Sequence, residues 1–323
     1  MSKGLTEVAG IKVGHATDPD GLTGCTVILC EGGAVAGVDV RGSATGTEEF
    51  ELMSPLHVTR EIHAVTLAGG SAFGLEAASG VRRFLERKGI GFPTGVARVP
   101  LVPCAILFDL ALGSAKARPT REMGEKAAAA AHDGPVEEGA VGAGTGASVG
   151  KLHGMKCAMK AGIGSACVWL DGELAGVRVA ALAAVNALGD VRDPETGRIL
   201  AGTRESPDSM NFIDSAALLK RGDRAGFAAS SNTTLVVVAT NAKLSKPMAT
   251  KLAQLASIGV ARAIAPVWTM SDGDIVIALS VGEQQASVDA LGVAAAEAVS
   301  NAIVRAVQLA PSLGGLPGLA SRS

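Results

Sequence analysis

The sequence predicts a layered α/β sandwich built from mixed sheets. Three observations lead there. Strand-like and helix-like segments alternate along the chain. The strands outnumber what a simple βαβ repeat would supply. Hairpin signals also sit among them, so a doubly wound parallel sheet fits less well. At 323 residues there is length for a substantial core, and no internal repeat divides it.

CTVILCE (25–31) and AVAGVDV (34–40) read as two paired strands joined at Gly32-Gly33. HAVTLAGG (63–70) is a strand closed by a glycine pair. From Ser71 an amphipathic helix follows, with Gly74, Ala77, Ala78, Val81, Phe84 and Leu85 on one face and Gly89 as its stop. A second, alanine-rich helix is expected around 122–132. GAVGAGTGASVG (139–150) is a glycine-rich loop, and VRVAALAAVNALGDV (177–191) is a long apolar segment. Residues 192–232 are polar and turn-rich, with one short helical piece near 213–220. A stretch this long with little regular structure is usually functional or mobile. Strand 234–240 comes next, then a helix capped by Ser245 with Pro247 in its first turn and Met248, Leu252 and Leu255 as its buried stripe. DIVIALS (274–280) and an alanine-rich helix around 285–309 complete the chain.

Composition narrows the function. Twenty-nine basic against 31 acidic residues leave no basic surplus for nucleic acid. Aromatic residues are 3% with no tyrosine, so stacking platforms for bases are not expected. No signal peptide is read at the N-terminus, and no run approaches the ~20 apolar residues of a membrane span. Cys25, Cys30, Cys104, Cys157 and Cys167 are odd in number and never in a CxxC pair, which points away from a disulfide framework or structural zinc and toward a reducing cytoplasm. His15, His57, His63, His132 and His153 show no metal-ligand spacing; His63 reads as a strand start and the others as surface or loop positions. Metal catalysis is therefore not expected.

The glycine-rich loop imitates two nucleotide motifs and satisfies neither. Thr145 stands where a Walker loop needs its first glycine before Gly150-Lys151, and Leu152 replaces the magnesium-binding hydroxyl. GAGTGA (142–147) lacks the preceding strand of a Rossmann loop. A closely packed turn is the better reading. There is no GxSxG elbow. Asp272-Gly273-Asp274 is either a common Asp-Gly turn or a carboxylate pair facing one site. Lys160 lies in apolar MKAGIGSA (159–166), where desolvation would lower its pKa, unless it snorkels to the surface. Asn186 interrupts an apolar run, as a structural cap or as a donor to a developing oxyanion.

SNTTLVVVATNA (231–242) carries the sharpest question. Asn232-Thr233-Thr234 matches a glycosylation sequon, which is idle without secretion. Thr233 suits a strand start equally well. It also suits an N-terminal nucleophile unmasked by self-cleavage. That chemistry needs a hydroxyl at the head of a core strand and an exposed loop upstream. The liberated α-amine, of pKa about 8, then serves as base.

Several stretches together resemble the DmpA/NylC family of self-cleaving N-terminal-nucleophile aminopeptidases and nylon-oligomer hydrolases. They are GVDVRGSATGTEE (37–49), HAVTLAGGSAFGLEAASGV (63–81), PLVPCAILFDL (100–110), GAVGAGTGASVGK (139–151), MKAGIGSA, AAVNALGDV (183–191), the 231–242 stretch and DGDIVIALSVG (272–282). The resemblance spans nearly the whole chain. It implies a four-layer αββα sandwich and cleavage between Asn232 and Thr233 into chains 1–232 and 233–323. It further implies Thr233 as nucleophile, Lys160 beside it assisting proton transfer, and no metal or organic cofactor. Asn186 would position the reacting carbonyl and the oxyanion, and Asp272 and Asp274 would hold nucleophile and lysine. Threonine in place of serine, with no tyrosine, is closer to the branch that cuts 6-aminohexanoate oligomers. Trp268 stands where many members carry histidine. The implied partners are a small linear amide or peptide substrate and further copies of the chain, a homo-oligomer with a tetramer favoured. Two other functions are compatible with parts of the pattern: an ornithine acetyltransferase-like acyltransferase using the same nucleophile, and a non-catalytic small-molecule-binding protein built on the glycine-rich loop.

Overall fold

In the computed structural model, which describes residues 3–223 and 232–320, the chain opens with β1 (Lys12–Asp18) and β2 (Thr23–Val40). There follow β3 (Thr47–Glu48), β4 (Glu61–Ala68), helix α1 (Glu76–Arg87), the short pair β5 (Phe92–Pro93) and β6 (Arg98–Val99), β7 (Cys104–Ile106) and α2 (Arg121–Ala129). The middle contributes β8 (Ser148–Val149), β9 (Met159–Lys160), β10 (Ile163–Trp169), β11 (Arg178–Asn186), β12 (Asp190–Arg192), β13 (Ile199–Ala201) and α3 (Ser215–Lys220). The last third is β14 (Thr233–Ala242), α4 (Lys246–Ala263), β15 (Ile264–Ala265), β16 (Ile275–Gln284) and α5 (Val288–Gln308).

The expected hairpin at Gly32-Gly33 does not form. Residues 23–40 run as one strand, and its register shifts between Leu29 and Ala34. Gly33 supplies a left-handed residue (φ 91°) that bulges the strand without reversing it. The first half of β2 pairs with β1 and β4, and the second half pairs with β16. One strand therefore belongs to both halves of a sheet ordered β10-β11-β14-β16-β2-β4-β7-β3. The turn that a hairpin reading needs lies earlier, between β1 and β2.

Period-2 alternation explains the layers. Val179, Ala181, Ala183 and Val185 of β11, with Val236, Val238, Val276 and Ala278, face α4 and α5. The alternate set, Leu182, Ala184, Leu235, Val237, Ile275 and Ile277, faces Ile28, Val65, Leu67 and Ala105 of the other half-sheet. The far side of that half, with Val27, Leu29, Ala64 and Ala68, packs on α1 and α2. Three cores separate four layers in the order helix, sheet, sheet, helix, as the sequence led us to expect.

The α1 face is the anticipated one, with Ala77, Ala78, Val81 and Leu85 buried. In α4 the buried stripe is Ala249, Leu252, Ala253, Ala256 and Val260, while Met248 is exposed. The small residues face inward because the helix sits close on β2 and α5. Its Ser245 cap accepts from the Met248 amide, as anticipated. His15 is not on a loop; it lies in β1 with Nδ1 2.9 Å from Thr26 Oγ1. Helix α5 is long and apolar enough to cross a membrane, yet 67% of that stretch is buried in the outer core. The polar segment before Asn232 falls partly on residues 224–231, which lie outside the described residues.

Candidate active site

Thr233 heads β14 and Asn186 ends β11, and the two are direct partners in the antiparallel ladder. Directly opposed residues project to the same face. Here it is the face between the two sheets, shared with Ala184 and Leu235. β14 pairs in parallel with β16, which brings the turn before β16 alongside Asn232. Asn232 and Thr233 are both buried.

The peptide linking them is tightly held. The Asn232 amide donates to Ser271 O at 3.1 Å. The Asn232 carbonyl accepts from the Gly273 amide at 2.7 Å and from Thr233 Oγ1 at 2.6 Å. A Cβ on Gly273 would lie 2.7 Å from Thr233 Oγ1 and 2.6 Å from Ala44 O, so only glycine fits there. Asp272 closes its own loop, accepting from Thr269 N at 2.9 Å and Thr269 Oγ1 at 2.7 Å. Asp274 accepts from the Thr234 amide at 2.6 Å. Burial, and secondarily the neighbouring Asp272, push the Asp274 carboxyl up to about 7. The turn is therefore buried with both carboxylates hydrogen-bonded, and is not a surface Asp-Gly turn.

Asn186 is satisfied on both sides of its amide. Its Oδ1 accepts from Ser148 N at 3.1 Å and from Lys151 Nζ at 2.6 Å, and its Nδ2 donates to Phe108 O at 2.9 Å. Lys151 also donates to the Asn186 main-chain carbonyl at 3.0 Å. Lys160 is fully buried, not snorkelling. Its ammonium donates to the carbonyls of Gly144 at 3.0 Å, Ala147 at 2.8 Å and Ala161. Lys160 pairs with Ser148 in the β8–β9 ladder, one step from Asn186. The glycine-rich loop is therefore a closely packed turn, and it cradles an ammonium with carbonyls where a phosphate loop would offer amides. Burial lowers both lysines to about 7, opposed at Lys151 by Asp272, Asp109 and Asp274, and at Lys160 by Asp109.

Sequence reasoning passed over two residues. Asp109 is buried, accepts from Thr23 Oγ1 and Gly70 N, both at 2.7 Å, and has its pKa raised by burial. Lys151 drew attention only as a failed phosphate-loop lysine, although a lysine in the apolar run SVGKL was the available signal. Among the described residues, a cavity of about 10 Å³ touches this centre, lined by Phe108, Asp109, Gly146, Ser148 and Lys151. That is room for a single water at most. No cluster of three or more His, Cys, Asp or Glu side chains suited to a metal occurs among the described residues.

A two-sheet sandwich between helical layers has structural counterparts among solved proteins. The L-aminopeptidase D-Ala-esterase/amidase of Ochrobactrum anthropi, described as a variant of the Ntn hydrolase fold, superposes with a TM-score of 0.71. The match covers 98% of this chain and 88% of that one at 21% identity. A Burkholderia sp. beta-aminopeptidase gives 0.70 over 98% and 90% at 24% identity. The chain thus has the fold of the N-terminal-nucleophile hydrolases. Its sequence places it more narrowly: residues 3–320 match the model of peptidase family S58, and the chain belongs to that family. An uncharacterized aminopeptidase of Mycobacterium leprae is 38% identical over 97% of this chain and 92% of its own length. A 6-aminohexanoate-oligomer endohydrolase of Kocuria sp. (strain KY2) is 30% identical over 93% and 84%. Membership of this peptidase family makes the chain an amide-bond hydrolase.

Proposed function

We infer that the chain cuts itself between Asn232 and Thr233, and that Thr233 then hydrolyses linear amides or peptides. One observation carries the reading: the Asn232 carbonyl oxygen is held between the Thr233 hydroxyl and the Gly273 amide. In the first step Oγ1 loses its proton to a base and bonds to the Asn232 carbonyl carbon. The negative charge that develops on the carbonyl oxygen meets the Gly273 N–H. The C–N bond breaks, the leaving nitrogen takes a proton, and an ester joins Asn232 to Oγ1. Water then hydrolyses the ester to an Asn232 carboxylate and a free Thr233 hydroxyl, beside the α-amine that the C–N cleavage released. In catalysis that amine is the base for Oγ1. Lys160 and Asn186 assist proton transfer and hold the oxyanion, and Asp272 and Asp274 fix the strand head.

Mass spectrometry of the purified protein tests this. Fragments 1–232 and 233–323 are expected from the native sequence, and one intact chain from Thr233→Ala. An intact native chain with full amidase activity would refute it.

Linear amides are the substrate class we favour, including 6-aminohexanoate oligomers, since relatives named for that activity are 30% identical. An aminopeptidase preference is a second reading, favoured by the higher identity, 38–39%, to relatives named aminopeptidases. Peptides with free and blocked amino termini, assayed beside 6-aminohexanoate oligomers, separate the two.

A further inference from the structure

We propose that Lys151 is a positioning residue for this centre: together with the Ser148 amide it locks the side-chain amide of Asn186 in one of its two flip states, which keeps Nδ2 available as a donor beside Thr233. The proposal rests on the reading of Thr233 as a self-processing nucleophile. Three contacts make the lock. Two donors, Lys151 Nζ at 2.6 Å and Ser148 N at 3.1 Å, converge on Oδ1. One acceptor, Phe108 O at 2.9 Å, faces Nδ2. A flipped amide would set its NH₂ against an ammonium and an N–H and its oxygen against a carbonyl, losing all three bonds. The Phe108 carbonyl uses one hydrogen of Nδ2. The second remains to donate, on a residue that stands directly opposite Thr233 in the ladder. Lys151 also ties down the Asn186 main-chain carbonyl at 3.0 Å, so backbone and side chain are held by one ammonium. Lys151 is buried, with relative exposure of 2%, and Asp109, Asp272 and Asp274 provide the negative charge around it. A lysine carried into the core is costly unless it is paired and hydrogen-bonded, and here its hydrogen bonds go to the two oxygens of Asn186.

The test compares native protein, Lys151→Met and Lys151→Gln by mass spectrometry during folding. Circular dichroism serves as the check of fold. Native protein that cleaves at Asn232–Thr233 validates the underlying reading, whatever the variants do. Folded Lys151→Met is then expected to cleave roughly 10- to 100-fold more slowly, the loss expected from one charged hydrogen bond. Lys151→Gln, neutral but still a donor, is expected to recover much of the rate; recovery by a donor separates positioning from simple filling of space. Folded Lys151→Met that cleaves at the native rate overturns the proposal, as does a Gln variant no better than Met. Should Lys151→Met not fold, ¹⁵N-lysine spectra of Thr233→Ala with and without Asn186→Ala decide. A shifted ammonium resonance supports the contact, and unchanged ammonium signals overturn it.

Discussion

At the scale of single residues, the centre is a set of buried charges whose ionisation opposes folding. Lys151 and Lys160 have folded pKa values near 7 against an ordinary 10.5. A depressed folded pKa gives stability that is present above the unfolded value and lost as pH falls through the folded one. The Thr233→Ala protein is therefore expected to lose melting temperature as pH drops from 9 toward 7. Scanning calorimetry across that window should show a shallower fall in the Lys160→Met double variant, even though its midpoint is lower. That midpoint drops because three carbonyls lose the ammonium as a donor; Gly144 O and Ala147 O each keep a main-chain amide, so the cost is about 1–3 kcal/mol in all rather than for each group. Asp274 acts in the opposite sense. Its folded pKa is raised, so its contribution is full below 3.8 and lost as pH rises through about 7. Much of this centre was readable in advance. The Asp272-Gly273-Asp274 turn reads two ways until the family resemblance is added, but Asn186, which interrupts an apolar run, and Thr233, which heads one, stand out. Lys151 did not, since nothing in a Gly-Lys pair reveals that the loop folds back onto Asn186.

At the scale of elements, the turn before β16 matters most. Gly273 is both the donor to the Asn232 carbonyl and the residue whose missing side chain admits Thr233 Oγ1. Gly273→Ala is expected to fold with a lower melting temperature and to cleave itself at least about 100-fold more slowly, as when an oxyanion donor is displaced. A time course by denaturing gel checks this. By contrast, Ser245→Ala removes only the N-cap of α4, worth about 1 kcal/mol in denaturant unfolding, and should leave processing at its native rate. Helices and their caps were legible because propensity, periodicity and stop signals agree locally. The fate of Gly32-Gly33 was not. A glycine pair allows a reversal or a bulge equally, and the choice is made by β1, β4 and β16, which compete for the two edges of β2.

At the scale of the whole molecule, four layers were foreseeable from strand count and family resemblance, but strand order was not. Order depends on which apolar faces meet, and all the inner strands are alike in composition. That order has its own consequence. β14 and β16 lie side by side with β11 on one flank and β2 on the other. If the backbone is cut before Thr233, both flanking strands belong to the first piece and both central strands to the second. The first piece then keeps two separated ladders, β10-β11 and β2-β4-β7-β3 with β1, and the second keeps only the β14-β16 pair, so the nine-stranded sheet exists only with both pieces together. The small one is clasped between two ladders and capped by α4 and α5, which it also carries. A cut chain of this design is nicked rather than divided: its parts should travel together on a sizing column and come apart only on denaturation. Unfolding it should be irreversible under conditions where the uncut Thr233→Ala chain refolds, because the connection that brought the central strands home has gone.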